Sequence, residues 1–157
     1  MERNDYLKML VEEMHSTTMA TIGADGHPQT RVIDMMLWDK KGVYFLTAKG
    51  KAFYAQLIEQ GYVAISATKD KKAVSLRGRI QNIHSEKLDE IFEKNPYMQK
   101  IYPGDTRAAL EVFRVYEAEG EYFDITRIPA VIDQHQCLHC GRCAETCPRG
   151  TIRKRGQ

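Results

Sequence analysis

Thr17-Thr-Met-Ala-Thr-Ile22-Gly-Ala-Asp25-Gly26-His-Pro-Gln29-Thr-Arg31-Val-Ile-Asp34-Met-Met-Leu-Trp38 is the stretch on which the fold turns. Both halves are rich in β-branched residues, which suit a pleated, half-buried strand. Asp25-Gly26 between them is a hairpin signal. The stretch therefore predicts a strand over Thr17–Ile22, a tight turn, and a returning strand over Gln29–Trp38.

On the N-terminal side, Asn4 is placed to cap a helix in which Tyr6, Leu7, Leu10, Val11 and Met14 recur at helical spacing. On the other side Asp39 to Gly42 turns the chain into a strand at Val43–Thr47. Lys51 to Glu59 then reads as a helix, with Phe53 and Leu57 stacked at i, i+4 and Gly61 ending it. Strands follow at Tyr62–Ala67 and Ala73–Ile83, joined by a turn at Lys69 to Lys71. Glu86 to Lys94 predicts a helix with Leu88, Ile91 and Phe92 on one side, and Pro96 and Pro103-Gly104 break the next stretch. Leu110–Ala118 and Glu121–Ile125 predict a final hairpin around Glu119-Gly120. Short strands dominate and no βαβ rhythm appears. The expected fold is mainly β, a closed or partly closed antiparallel barrel of six to seven strands with flanking helices.

The chain has 157 residues, 43% hydrophobic and 28% charged, enough for one core and an appendage. The expected division is a domain over 1–128 and a tail over 129–157, hinged at Ile128-Pro129. A net charge of +2 is too small to suggest nucleic acid as the main partner. No apolar run approaches a membrane span, and residues 1–10 lack the apolar core of a signal peptide, so a cytoplasmic setting is expected.

All four cysteines lie in the tail, in the run Cys137-Leu-His-Cys140-Gly-Arg-Cys143-Ala-Glu-Thr-Cys147-Pro148. Three occupants suit four clustered thiols: an iron–sulfur cluster, a structural zinc ion, or disulfides. The three tight intervals favour the first, because zinc knuckles rarely use them. The spacing C-x2-C-x2-C-x3-C-P resembles the bacterial ferredoxin run, and the likeness extends over Val131 to Ile152. It implies a 4Fe-4S cluster on Cys137, Cys140, Cys143 and Cys147. In two-cluster ferredoxins the fourth cysteine serves the other cluster. With one run per chain, either Cys147 returns to its own cube, or a homodimer exchanges Cys147 between chains. The cations Arg149, Arg153, Lys154 and Arg155 offset cluster charge or are simply a solvated terminus.

A second likeness rests on Gly26-His-Pro28-Gln-Thr-Arg31-Val32-Ile33-Asp34 followed by Tyr44-Phe45-Leu46-Thr47-Ala-Lys49-Gly-Lys51. These segments and the order of elements over residues 5 to 126 resemble the FMN-binding split barrels related to pyridoxamine-phosphate oxidase, and most of all their nitroimidazole-resistance (Nim) branch. A cation early in one strand and another at a helix start together attract a doubly charged phosphate. Taken singly, Arg31, Lys49 and Lys51 are as readily ordinary exposed cations.

The resemblance implies that Arg31, Thr47, Lys49 and Lys51 hold the FMN phosphate. The backbone of Val32, Ile33, Asp34 and Leu46 would meet the isoalloxazine edge, and two subunits would enclose each flavin. The oxidase places a substrate lysine at the position of Met36 and a flavin-contacting glutamine near Ala73, so oxidation of pyridoxamine phosphate is not expected.

Other residues are weaker candidates. His15, His27 and His84 have no metal spacing and read as surface or hydrogen-bonded histidines. Trp38 packs at a hairpin end or borders the flavin. Tyr97, Met98, Ile101 and Tyr102 belong to the core or line the pocket from a partner subunit. No catalytic acid or base is assignable.

The leading function is an FMN-dependent reductase passing electrons between a 4Fe-4S cluster and flavin to a small-molecule acceptor, supplied by an external ferredoxin or another donor. The alternative is a non-catalytic redox sensor or electron carrier. A barrel holding haem or a deazaflavin is a third reading, though no histidine is plainly placed as an axial ligand.

Overall fold

The computed structural model describes residues 3–124. The chain divides into two units, Met1–Phe123 and Asp124–Gln157. The four cysteines, the Ile128-Pro129 hinge and Ile125 lie outside the described residues.

A helix, α1 (Arg3–Lys8), runs into a π-helical segment, Met9–Met14. Seven strands follow: β1 (Ser16–Ile22), β2 (Pro28–Asp34), β3 (Leu37–Asp39), β4 (Gly42–Ala48), β5 (Tyr62–Lys69), β6 (Lys72–His84) and β7 (Leu110–Asp124). Helix α2 (Ala52–Gln60) links β4 to β5, while α3 (Leu88–Lys94), α4 (Met98–Ile101) and a 3-10 segment (Gly104–Ala109) link β6 to β7. The strands form one sheet in the order β2-β1-β5-β6-β7-β4-β3. This is the mainly antiparallel split barrel that the sequence predicts.

Three local expectations need correction. Arg3, not the residue after Asn4, begins the described helix, so Asn4 is a helical residue rather than a cap. The predicted strand Gln29–Trp38 is two strands, β2 and β3, broken at Met35-Met36. There the Met35 N–H donates to the His15 carbonyl and the Met36 N–H to the Tyr44 carbonyl, both at 2.8 Å. Consecutive peptide groups thus bond toward β1 and toward β4, which no continuous strand can do.

The predicted hairpin around Glu119-Gly120 is a single 15-residue strand. Gly120 serves close approach rather than turning: a Cβ there would overlap the Ser75 carbonyl oxygen on β6. Gly78 on β6 is the counterpart, where a Cβ would lie 2.7 Å from the Ala118 Cβ and 2.9 Å from its Cα. The bend in β7 falls instead at Glu117, whose φ is 44°.

Two cores result from strand alternation. On β4, Val43 and Phe45 enter the barrel interior with Met19, Leu57, Ile65 and Phe113. Tyr44 and Leu46 point the other way and pack with Leu88, Ile91, Phe92 and Met98 beneath α3 and α4. β7 does the same, with Phe113 and Val115 in the first core and Leu110 and Val112 in the second. Both faces of these strands are covered, which explains their nearly unbroken apolar runs. The β5–β6 hairpin turns on Asp70-Lys71, both at positive φ, as a two-residue loop of the primed type requires.

The seam between β6 and β7 leaves no room for a methyl group against backbone atoms. Gly120→Ala and Gly78→Ala should each lower stability by about 1–3 kcal/mol. Urea unfolding followed through the single tryptophan, Trp38, measures this; midpoints equal to wild type would show that the seam opens freely.

Candidate functional site

Arg31 lies on the edge strand β2, opposite Met19 of β1. Its guanidinium donates to the Thr21 hydroxyl, to Gln56 Oε1 (3.1 Å) and to the Gln29 carbonyl (3.3 Å). It also covers the Phe53 ring at 4.4 Å, a cation–π arrangement. Partial burial lowers its titration from the ordinary arginine value, yet a guanidinium stays charged at any physiological pH. Phe53 in turn stacks on Phe45 of β4 (6.3 Å), and Phe45 on Phe113 of β7 (5.6 Å). The aromatic stack connects the edge strand to the barrel centre and fixes Arg31 against the first turns of α2.

Lys49, Gly50 and Lys51 form the turn from β4 into α2. Gly50 has φ 86°, a conformation that favours glycine. Lys51 is the N-cap of α2 and makes no side-chain cap hydrogen bond. The first N–H groups of this nine-residue helix therefore have no capping side chain, while Arg31 lies beside its first turns. Uncapped N–H groups, the helix dipole and nearby cations are what a phosphate dianion requires. Thr47 and Leu46 are buried on β4. Lys49 and Lys51 thus flank the start of α2 along the chain, Arg31 lies against Phe53 and Gln56 of its first turns, and Thr47 is two residues before Lys49 in the same strand-to-turn passage.

Sequence reading missed the groups that hold these cations. Thr21, Phe53 and Gln56 fix Arg31, and Glu111 on β7 meets Lys49 at 3.8 Å. Glu111 is the centre of its own network: it accepts from the Tyr54 hydroxyl and Asn82 amide, both at 2.6 Å, and its other oxygen lies 3.4 Å from His84 Nδ1. The Tyr54 and Asn82 donors, and then His84, hold its carboxyl at about 2, well below the ordinary glutamate value. One signal was available: Phe53 and Gln56 are three apart on α2 and share a face. Nothing in the sequence links Glu111 to Lys49.

Val32 is 70% exposed on the outer strand, whereas Ile33 is half-buried against the first core. Asp34 ends β2, and its carboxylate is fully engaged. Oδ1 accepts from the Ser16 hydroxyl (2.6 Å) and Oδ2 from the Tyr97 hydroxyl (3.1 Å). The Tyr97 oxygen also lies 2.8 Å from His15 Nε2. His15 has φ 59° and ψ −66°, a strained backbone that costs about 1–3 kcal/mol. Bonds on both sides hold it there, from its own N–H to the Leu10 carbonyl and from the Met35 N–H to its carbonyl.

Tyr97 is thus a partly exposed polar residue, as Ile101 is an exposed apolar one, while Met98 is core and Tyr102 packs on the second cluster. Trp38 packs against the first cluster and donates to Glu12 (2.8 Å). His27 pairs with Asp25 and His84 with Glu111. Among the described residues no group of three metal-ligating side chains occurs, and no helix is long and apolar enough to cross a membrane.

The fold places the domain in the split-barrel class, and comparison with solved structures agrees. A NimC/NimA family protein from Clostridium acetobutylicum superposes with a TM-score of 0.68 at 21% identity, covering 78% of this chain and 88% of that one. An F420 reductase (TM-score 0.54, 20% identity, 71% and 94% covered) and the haem storage protein of Vibrio cholerae (0.54, 14%, 79% and 95%) share the fold as well.

The family model described as pyridoxamine 5'-phosphate oxidase matches residues 4–124, and that of a 4Fe-4S binding domain matches residues 129–152. The chain belongs to the pyridoxamine 5'-phosphate oxidase family. It is 28% identical over 93 residues to the pyridoxine/pyridoxamine 5'-phosphate oxidase of Paracidovorax citrulli, covering 58% of this chain and 41% of that one. It is 24% identical over 137 residues to the enzyme of that name from Gloeothece citriformis, covering 85% and 60%. The chain therefore spans only part of the length of the curated relatives it matches.

The Glu111 network makes stability depend on pH. The folded carboxyl titrates at about 2 and the unfolded one near 4.5. The native state therefore resists protonation: its advantage is complete above pH 4.5 and is lost as the pH falls toward 2. Wild-type protein should lose about 1–2 kcal/mol between pH 5 and pH 3 that Glu111→Gln does not lose. Urea midpoints across that range provide the measurement, and parallel curves for the two proteins would remove Glu111 as the cause.

Proposed function

We propose that this protein is an FMN-dependent reductase that exchanges electrons with a 4Fe-4S cluster carried on its own tail and passes them to a small-molecule acceptor. The single observation that carries the reading is the uncapped start of α2, with Lys49 and Lys51 at its mouth and Arg31 braced against its first turns. The residues present fit the phosphate end of FMN. Membership of an oxidase family whose members typically bind flavin supports the choice of guest. Bound FMN would supply two-electron chemistry and release electrons singly.

Arg31, Lys49, Lys51 and the N–H groups of α2 would bind and orient the phosphate, with Thr47 adding a hydroxyl donor. Val32, Ile33, Asp34 and Leu46 would position the ring through backbone atoms. Arg31 is the best organised of these cations, because its partners fix it before any ligand arrives. Met36, where the oxidase has its substrate lysine, is buried in the second core and presents no charge to a ligand. The reading therefore keeps the cofactor and gives up the substrate of the named relatives.

Cys137, Cys140, Cys143 and Cys147 lie outside the described residues; the match of the 4Fe-4S domain model across them supports a cluster there. A homodimer in which two chains enclose each flavin, with Cys147 exchanged between chains, completes the reading, together with an external ferredoxin or similar donor.

The test is anaerobic purification of the full chain with assay of flavin, iron and sulfide. One FMN per chain and an iron–sulfur absorption band are expected. Arg31→Ala should weaken FMN binding by about 10- to 100-fold, the worth of one or two charged hydrogen bonds. Cys140→Ala should lose the iron while keeping the flavin. Steady reduction of a quinone or nitroaromatic marks the enzyme; redox cycling without turnover marks a sensor. Zinc in place of iron would end the electron-relay reading.

A further inference from the structure

We propose that Tyr97, His15 and Asp34 form a proton relay serving the reduction carried out by this domain, an inference that rests on the flavin-dependent reading above. Tyr97 delivers the proton, His15 replenishes it, and Asp34 is the positioning residue.

The relay uses one of the arrangements that these contacts allow. The Tyr97 hydroxyl has one hydrogen, within reach of Asp34 Oδ2 at 3.1 Å, of Met36 Sδ at 3.4 Å and of His15 Nε2 at 2.8 Å. A carboxylate oxygen can only accept, so a proton on His15 Nε2 directs the Tyr97 hydrogen to Asp34 and is itself accepted by the Tyr97 oxygen. Asp34 is held by Ser16, and its Oδ2 lies 3.5 Å from Nε2, where it is the counter-charge for an imidazolium. In that arrangement the proton points from His15 toward Tyr97. Burial, and then the Asp34 charge, push the Tyr97 hydroxyl well above the ordinary phenol range. A tyrosine so held gives up its proton only as another arrives, and His15 is the side-chain type that carries one near neutral pH.

The position suits the chemistry. Asp34 is the last residue of the Val32–Asp34 segment assigned to the flavin ring edge, so the Tyr97 hydroxyl stands one hydrogen bond from that segment. About a third of the His15 side chain is open to solvent, its path for reprotonation. Other charges near it are already committed: Glu12 to Trp38 and Lys8, and Glu13 to Lys72. The strained backbone of His15, fixed by Leu10 and Met35, holds the imidazole where an unstrained residue would not.

The balance is simple. Bound FMN would supply the hydride, and with it both electrons, to an acceptor such as a quinone. Tyr97 would give its proton to the acceptor oxygen and take the Nε2 proton of a His15 imidazolium, leaving an intact phenol and a neutral imidazole that regains its proton from solvent.

The experiment uses the full chain loaded with FMN, reduced anaerobically and mixed with a water-soluble quinone in stopped flow. Tyr97→Phe and His15→Gln should each bind FMN within about threefold of wild type and slow reoxidation by about tenfold or more. His15→Gln should also abolish the pH dependence of the rate between pH 5 and 8. Independently of flavin, nitrogen chemical shifts of the His15 ring should show Nε2 carrying a proton in wild type and a mixture of tautomers in Tyr97→Phe. If His15→Gln fails to fold, the conservative Tyr97→Phe still decides the rate and tautomer tests. Wild-type rates and pH profile in FMN-loaded variants, or a wild-type ring protonated at Nδ1 alone, would overturn the relay only. A wild-type chain that takes up no FMN would overturn the relay and the function together.

Discussion

Two neighbouring peptide groups, at Met35 and Met36, hold the barrel together. One N–H bonds to the carbonyl that precedes β1 and the next to a carbonyl of β4, strands that lie on opposite sides of the sheet order. The chain can do this only by leaving the β conformation between β2 and β3, and the two methionine side chains then go to different cores. Asn95 secures the same point from the other layer, its buried amide donating to the Met36 and Ile91 carbonyls at 2.9 Å. Because buried backbone groups must be paired, this junction also accounts for the strained backbone at His15, whose carbonyl accepts from the Met35 N–H.

How much of this the amino-acid order reveals depends on the range of the interaction. The β1–β2 hairpin, the Asp70-Lys71 turn and the Gly61 stop of α2 are written in neighbouring residues and were read from them. The break at Met35-Met36 was not, because no glycine or proline marks it; its cause is a pair of carbonyls on two different neighbours, His15 before β1 and Tyr44 on β4. Gly120 misled for the opposite reason: a glycine that reads as a turn is required by the close approach of β6. At the site, the cations of the helix mouth follow from local order, Arg31 with its strand and Lys49 and Lys51 with their turn. Their partners Gln56 and Glu111, and the meeting of His15 with Tyr97 across 82 residues, follow only from the folded barrel.

The electrostatics of the helix mouth are a compromise. Lys49 and Lys51 flank the start of α2 and Arg31 lies beside its first turns, and like charges brought near one another repel. Glu111 relieves part of that repulsion by facing Lys49, and its depressed titration shows how strongly Tyr54 and Asn82 keep it anionic. A phosphate arriving there would meet a site already partly balanced, so its affinity reflects the difference between two pairings rather than the sum of three attractions. Arg31, anchored by neutral groups and an aromatic face, carries no such competition.

The sulfur atoms of the cores have a chemical consequence of their own. All six methionines among the described residues, Met9, Met14, Met19, Met35, Met36 and Met98, are buried. An oxidant in solution reaches a thioether only where the packing opens, and a sulfoxide once formed is too polar for the space it left. Met35 has no exposed surface at all and belongs to the junction that closes the barrel. Damage at that sulfur would therefore record each separation of the two sheet halves, and a methionine count by mass would serve as a clock for the breathing of the barrel.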